Sequence, residues 1–211
     1  MGFPPFFHKG HMANETLTSE LDAVNIIIST IGESPVSTLT GELPVDVSIA
    51  KSVLVEASRA VQSVGWHFNT DVKLVLALDV NSQISLPGNT LQVDASIEDG
   101  EVDLVQHGIK LYDRLNRTYT FAREQTVDIT YFHPWDILIE QARRYILIHA
   151  SKLFQGRMVG SDTLWNFSAQ EEFAALTALL RADGQSADFN IFRSASMRRI
   201  LGRRESQAGY R

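Results

Sequence analysis

The chain has 211 residues, of which 44% are hydrophobic and 21% charged, and its formal net charge is −6. This balance is typical of globular proteins and excludes a largely disordered chain. The absence of cysteine excludes a disulfide framework, a thiolate metal site and a cysteine nucleophile, and because no apolar run approaches the roughly 20 residues that cross a bilayer, we expect no membrane partner.

The N-terminal region is predicted to contain a leader followed by a helix. Residues 1–16 are interpreted as a leader that is partly vector-derived or disordered, and Met12 is a candidate natural start. Apolar residues at helical spacing predict a first helix over residues 21–31. Ser19 and the acidic residue three positions later resemble a capping box, and Gly32 is well placed to stop the helix.

A second helix is predicted to begin at Pro44, because proline is favoured at the first helical position, and to end at Gly65. Its apolar residues recur every three or four positions and form the clearest amphipathic pattern in the chain: Val47, Ala50, Leu54, Ala57, Val61 and Val64. Trp66 and Phe68 follow in an exit segment, and we interpret both as core residues rather than interface residues.

Between residues 71 and 132 the periodicity changes to short strands separated by turn residues. The predicted strands are residues 72–78, 91–94, 102–105, 110–112, 119–121 and 127–132. Since short turns separate these segments, we expect an antiparallel meander.

Helical spacing returns after Pro134 and predicts a third helix that ends at Gly156. A fourth helix is predicted over residues 162–181 and is stopped by the turn residues that begin at Asp183. Its apolar stripe, which we expect to face the core, consists of Trp165, Ala169, Phe173, Leu176 and Leu180.

The predicted fold class is α+β: a four-helix bundle with an antiparallel β-meander inserted between helices two and three, plus a basic C-terminal tail. The bundle comprises residues 17–70 and 133–189, the β insertion residues 71–132, and the tail residues 190–211. The tail holds six arginines and one glutamate, a local charge of +5, so the remainder of the chain carries −11. Because the tail also contains apolar residues, we expect it to dock onto a partner rather than only to be solvated.

The sequence contains no nucleophile elbow, phosphate-binding loop, zinc-protease motif or dinucleotide fingerprint. His149 lies on an apolar helical face and is interpreted as a satisfied core histidine rather than a ligand. The acidic residues 98–103 read as a charged turn, because they lack the spacing of a calcium loop. We therefore predict no catalytic residue, no metal site and no cofactor.

Three short motifs carry a resemblance to a known family. Residues 23–25 read AVN, residues 31–39 read IGESPVSTL, and residues 65–69 read GWHFN. In this order, with a long helix before the last motif, they resemble the tail tubular protein A family of short-tailed bacteriophages. Residues 84–94 and the helix around residues 142–154 are similar to later parts of that family.

The resemblance implies a structural virion protein, not an enzyme. Members of the family form a ring, typically a dodecamer, that joins the portal protein to the tail nozzle protein as a head-to-tail adaptor. DNA then passes through the lumen during ejection without specific binding. The implied location is the virion tail, assembled in the host cytoplasm.

Two sets of contact residues follow from this interpretation as expectations. In the tail, the candidate portal-docking residues are Arg193, Arg198, Arg199, Arg203, Arg204, Phe192, Ile200 and Leu201. In the second motif, the candidate subunit-contact residues are Gly32, Glu33, Pro35 and Leu39. An ordered turn that braces the first two helices is the open alternative for this loop.

Two other functions are weighed against the adaptor. One is a tail-associated carbohydrate hydrolase that acts on host polysaccharide, alone or as an added activity; it needs a pair of carboxyl groups, and the sequence singles out none. The other is a DNA-binding accessory protein, which the acidic body disfavours because it would repel a phosphate backbone.

Overall fold

The computed structural model describes residues 17–95, 103–160 and 162–186, with only the backbone along residues 162–168. The helices are α1 (Glu20–Ser29), α2 (Val45–Gln62), α3 (Glu140–Met158) and α4 (Asp162–Ser186). The strands are β1 (Thr70–Leu76), β2 (Thr90–Ala95), β3 (Leu104–His107), β4 (Lys110–Asp113) and β5 (Gln125–Tyr131). The predicted α+β class, with strands between the second and third helices, is therefore confirmed.

Helix α1 begins at the predicted capping box. The Ser19 hydroxyl accepts a hydrogen bond from the Asp22 backbone N–H at 3.1 Å, and the Asp22 carboxylate accepts one from the Ser19 N–H at 3.2 Å. After the helix, Gly32 has a φ of +86°. A side chain disfavours this left-handed conformation, so glycine suits the end of the helix.

Four predicted helix ends are wrong. Pro44 precedes α2 as its cap, because its ψ of 149° is extended rather than helical. Helix α3 starts six residues after Pro134, since a short 3-10 turn (Trp135–Ile137) comes first, and it passes Gly156 to end at Met158. There Gly160, with a φ of +66°, provides the stop. Similarly, α4 continues past Asp183, because a glycine inside a helix costs only about 1 kcal/mol.

The strands form a three-stranded antiparallel sheet in the order β1-β5-β2 and a separate β3-β4 hairpin. The predicted meander is wrong, because β5 lies between β1 and β2, and the β3-β4 hairpin separates it from both in sequence. Val127 and Ile129 of β5 are fully buried, so this most apolar strand takes the central position. The predicted strand at residues 119–121 contributes only an isolated bridge, between Thr120 and Gln83.

Two apolar clusters hold the described residues together. The helical cluster includes Ile27, Ile28, Leu54, Ile146, Phe154 and Leu179. The sheet cluster includes Ile84, Leu86, Leu111, Val127 and Ile129. Helices α1, α2 and α3 pack on one another, whereas α4 packs mainly along α3. The predicted domain boundaries stay a prediction.

The predicted inward face of α4 is wrong for the two residues that define it best. Phe173 is 72% exposed and Leu180 is 54% exposed, while Ala175 and Leu179 are buried. The reason lies in Glu172, whose carboxylate is held by two side chains of α3. This polar contact turns α4 so that its most apolar stripe partly faces solvent.

Candidate assembly interface

The loop predicted to contact a neighbouring subunit lies directly after α1. Its backbone closes the helix, since Gly32 N–H donates to Ser29 C=O at 3.0 Å and Glu33 N–H to Ile28 C=O at 3.3 Å. Gly32, Glu33 and Pro35 are exposed, whereas Leu39 is half-buried against the helical cluster. The four predicted residues therefore divide into three that face solvent and one that packs inward.

The side chain of Asn25, on α1, hydrogen-bonds the backbone of this loop. Its Nδ2 donates to the Val36 carbonyl at 3.0 Å, and its Oδ1 accepts from the Val36 N–H at 2.8 Å. The asparagine of the first motif thus holds the middle of the second motif. This geometry supports the interpretation of the loop as an ordered turn, while the exposed Glu33 and Pro35 keep the subunit contact as a prediction.

The predicted portal-docking residues lie outside the described residues. They are Phe192, Arg193, Arg198, Arg199, Ile200, Leu201, Arg203 and Arg204. Their role stays a prediction. The last described residue is Ser186, at the end of α4.

A buried polar junction connects the helical part to the β region. Gln62 is fully buried at the end of α2, and its side chain bonds the backbone of His133 in both directions. The Gln62 Nε2 donates to the His133 carbonyl at 3.0 Å, and its Oε1 accepts from the His133 N–H at 2.7 Å. The Gln62 side chain thereby holds the end of α2 beside the segment that follows β5.

The third motif supplies the other half of this junction. Asn69, 1% exposed, donates from Nδ2 to the carbonyls of Gln62 at 2.9 Å and Tyr131 at 2.8 Å, and its Oδ1 accepts from the Trp66 N–H at 2.8 Å. Trp66 is 3% exposed and donates from Nε1 to the Val61 carbonyl at 2.7 Å, which confirms its prediction as a core residue. Phe68 is half-buried against the helical cluster.

Gly65 is the tightest point of the junction. It has a φ of +81°, and a Cβ placed there would lie 3.1 Å from the Thr130 hydroxyl. Gly41 has nearly the same backbone, with a φ of +85°, but no atom within 4 Å of such a Cβ. Comparison of Gly65 with Gly41 therefore separates the effect of backbone strain from that of steric crowding.

We expect Gly65→Ala to destabilise the fold by roughly 2–3 kcal/mol, and Gly41→Ala by only about 1–2 kcal/mol from left-handed strain. Thr130 is buried, so its side chain cannot move away without disturbing β5. Urea unfolding of the two variants measures the difference. Equal losses would show that the junction relaxes around an added methyl group.

A second polar cluster, which was not predicted from the sequence, binds the segment around Thr18, just before α1. Both oxygens of Glu140 bond Thr18, one to its N–H at 3.0 Å and one to its hydroxyl at 2.6 Å. The Thr18 carbonyl accepts from Trp135 Nε1 at 2.9 Å and from Arg143 Nη1 at 2.8 Å. The N–H, the hydroxyl and the carbonyl of Thr18 are thus all held by residues more than a hundred positions away.

Gln62 and Arg143 share one sequence signal that could have identified them. Gln62 follows Val61 on the buried side of α2, and Arg143 follows Ala142 in the same way on α3. A polar side chain among buried positions requires hydrogen-bond partners. The pattern could reveal that requirement, although not the identity of the partners.

His149 has the satisfied environment that the sequence predicted. Its Nδ1 lies 2.5 Å from Glu172 Oε1, and Lys152 Nζ lies 2.7 Å from Glu172 Oε2. Burial alone would raise the pKa of Glu172, but the hydrogen bonds from Lys152 and His149 outweigh it and hold the pKa below its ordinary value. The three side chains join α3 to α4.

Replacing Glu172 by glutamine should therefore reduce stability at pH 7 by roughly 1–2 kcal/mol. Because the folded pKa of Glu172 is lowered, its contribution is complete above the ordinary carboxyl value of 4.5 and is lost as the pH falls through the folded value. Denaturant unfolding over a series of pH values below 7 should show the two proteins converging as the pH falls. A constant difference would assign the effect to packing.

Another buried acidic side chain is satisfied by hydrogen bonds within the protein. Asp113 is a buried carboxylate, and the Asn116 backbone N–H and side-chain amide bond it at 2.9 and 2.8 Å. These bonds hold the pKa of Asp113 below its ordinary value. Within the described ranges, no group of three histidine or acidic side chains could hold a metal ion, and no helix there could span a membrane.

Comparison with known proteins points to the same family as the three motifs. A family model described as Tail tubular protein matches residues 21–189, which include both apolar clusters. The chain is similar to Tail tubular protein A of Klebsiella phage KP34, with 25% identity over 181 residues. That alignment covers 86% of this chain and 95% of the phage protein.

Proposed function

Because this chain belongs to the tail tubular protein family, we propose that it serves as a structural protein of a phage tail and, within it, as the head-to-tail adaptor. Copies of the chain form a ring that binds the portal protein on one side and the nozzle protein on the other. The observation that carries this proposal is the family match over residues 21–189, which extends across the helical part and the β region.

The buried junction supports a role between two rings. An adaptor has to keep two partner surfaces in a constant relative position while DNA leaves the head. Gln62 and Asn69 bond both chain segments that connect the helical part to the β region, so that neither segment is a free linker. A polar network without missing partners favours one rigid geometry.

The distribution of charge supports the same role. The chain outside residues 190–211 carries −11, whereas those residues carry +5. A wall with net negative charge does not retain passing DNA, because it repels the phosphate backbone. The basic tail is then the element that docks on the portal, and the exposed Glu33 and Pro35 are available for a subunit contact.

The proposal is tested by electron microscopy of the protein mixed with its cognate portal ring. We expect an additional ring of density below the portal with the full chain, and none with a variant that lacks residues 190–211. The control is the circular dichroism spectrum of the shortened protein, which should match that of the full chain. A folded full-length protein that adds no density would overturn the adaptor role; density from the shortened protein would overturn the docking role of the tail.

A further inference from the structure

The solvent side of α4 has an unusual composition for an exposed helix. Phe173 and Leu180 lie two turns apart on this side and are 72% and 54% exposed. Of the four charged residues between positions 169 and 186, Glu172 bonds α3 and Asp183 accepts the His67 N–H at 2.6 Å. Only Glu171 and Arg181 are exposed, so this face has no net charge. We call Phe173 and Leu180 the α4 ridge.

The solvent side of α2 is concave. It contains a shallow concavity of about 490 Å³, here called the α2 groove, lined by Ser52, Val55, Glu56, Arg59, Ala60 and Ser63. Four of these six side chains are small or apolar, and Val55 is 40% exposed. The groove therefore offers both apolar surface and space.

The charges of the α2 groove are largely neutralised within the chain. Glu56 receives two hydrogen bonds of 2.7 Å from Arg157, which leaves no net charge on that pair. The Arg59 guanidinium lies over the Phe132 ring, 5.4 Å from its centroid. A cation on an aromatic face is partly compensated without a carboxylate. The groove is thus neutral to slightly positive.

The α4 ridge and the α2 groove are the solvent sides of two helices that both pack on α3. Each surface points away from the helical cluster, so one chain cannot bring its own ridge into its own groove. A second copy can, because it offers the same two surfaces. A contact between two different surfaces of identical chains is heterologous, and it generates a ring when the rotation closes.

We propose that the α4 ridge of one copy packs into the α2 groove of the next copy. The inference rests on the proposed ring and identifies the surfaces that build it. Two copies of a chain whose body carries −11 repel each other over most of their surface. The ridge has no net charge and the groove is neutral to slightly positive, so the repulsion is weakest where they meet. Depletion of charge is also the mark of the centre of a protein interface.

Phe173 is the expected anchor of this contact. An aromatic side chain buries roughly 150–250 Å², whereas a stable interface covers about 800 Å² on each partner. The rest of the contact area has to come from other exposed residues on the solvent side of α4, which include Ala174 and Ala178. Their short side chains let the backbone of α4 approach α2 closely.

The absence of cysteine makes a cross-linking test direct. Leu180→Cys places a thiol on the ridge and Ser52→Cys places one in the groove. Under mild oxidation, the double variant should form a ladder of dimers, trimers and larger species, and a mixture of the two single variants should form dimers only. Val80→Cys, at a fully exposed loop position of the β region, is the control and should form no cross-linked ladder.

A second substitution tests the anchor within the double-cysteine protein. Phe173→Glu should lower the cross-linked fraction about tenfold or more, as expected for an interface hot spot, whereas Val80→Glu should leave it unchanged. Both sites are exposed, and circular dichroism should confirm that both variants fold. Cross-links within one single variant would show an isologous contact and overturn the proposal.

The same samples are then mixed with the portal ring, which separates this inference from the adaptor role. Portal binding without a ladder would overturn the ridge-to-groove contact and leave the adaptor in place. A ladder without portal binding would support the contact and overturn the adaptor. Absence of both, from folded protein at high concentration and with portal present, would overturn the two proposals together.

Discussion

Replacing Asn69 by alanine should lower the free energy of unfolding by about 3 kcal/mol, since three buried hydrogen bonds are lost at roughly 1 kcal/mol each. The side chain is 1% exposed and serves the carbonyls of Gln62 and Tyr131 as well as the N–H of Trp66. Water cannot replace it without opening the junction. We therefore expect the loss to appear in both apolar clusters, because the junction joins them.

The matched control for this substitution is Asn89→Ala. Asn89 also donates to a carbonyl of the returning chain, that of Phe132 at 3.2 Å, but its side chain is exposed. Its loss should cost no more than about 0.5 kcal/mol, as is usual for surface positions. Urea unfolding followed by tryptophan fluorescence compares the two. Similar losses would show that the buried network adds nothing beyond a single surface hydrogen bond.

Arg143→Ala should destabilise the fold by about 3 kcal/mol or more. The guanidinium is 4% exposed and donates to the carbonyls of Leu138 at 2.9 Å, Thr18 at 2.8 Å and Asp136 at 2.9 Å. Hydrogen bonds from a charged donor contribute roughly 1.5–3 kcal/mol each, partly offset because a buried charge is removed. We also expect the segment around Thr18 to detach from α3.

Two variants show whether this effect belongs to the hydrogen bonds. Arg144→Ala changes the next residue, which is exposed, and should be nearly neutral. Arg143→Lys retains the charge but lacks the planar fork that reaches three acceptors, so it should recover only part of the stability. Hydrogen exchange at residues 18–23 reports the detachment. Full recovery with lysine would assign the effect to charge alone.

The helix ends that depend on local chemistry could be predicted from the sequence. The capping box of α1 needs only Ser19 and Asp22, which are three positions apart, and the glycines at positions 32 and 65, which were predicted to end helices, have positive φ angles. Local hydrogen bonds and backbone sterics decide these features. Partners close in sequence are visible in a single sequence.

Features that depend on distant partners could not be predicted in the same way. The rotation of α4 is determined by Glu172, whose partners His149 and Lys152 lie on another helix. The position of β5 in the centre of the sheet depends on competition among all the strands. On α4, the apolar pattern placed Phe173 and Leu180 on one stripe, but it could not show whether that stripe meets the core or faces solvent.

The pairing of Thr70 with Thr130 has a consequence for how the chain could be rebuilt. Paired residues on antiparallel strands have Cα atoms about 4.5–5.5 Å apart, so residues 70–131 leave and rejoin the helical part at almost one point. A segment whose ends lie this close can be replaced by another segment with equally close ends without separating the elements that flank it. Any replacement segment must still offer a backbone carbonyl to Asn69 Nδ2, because one acceptor of this amide, the Tyr131 carbonyl, lies within residues 70–131.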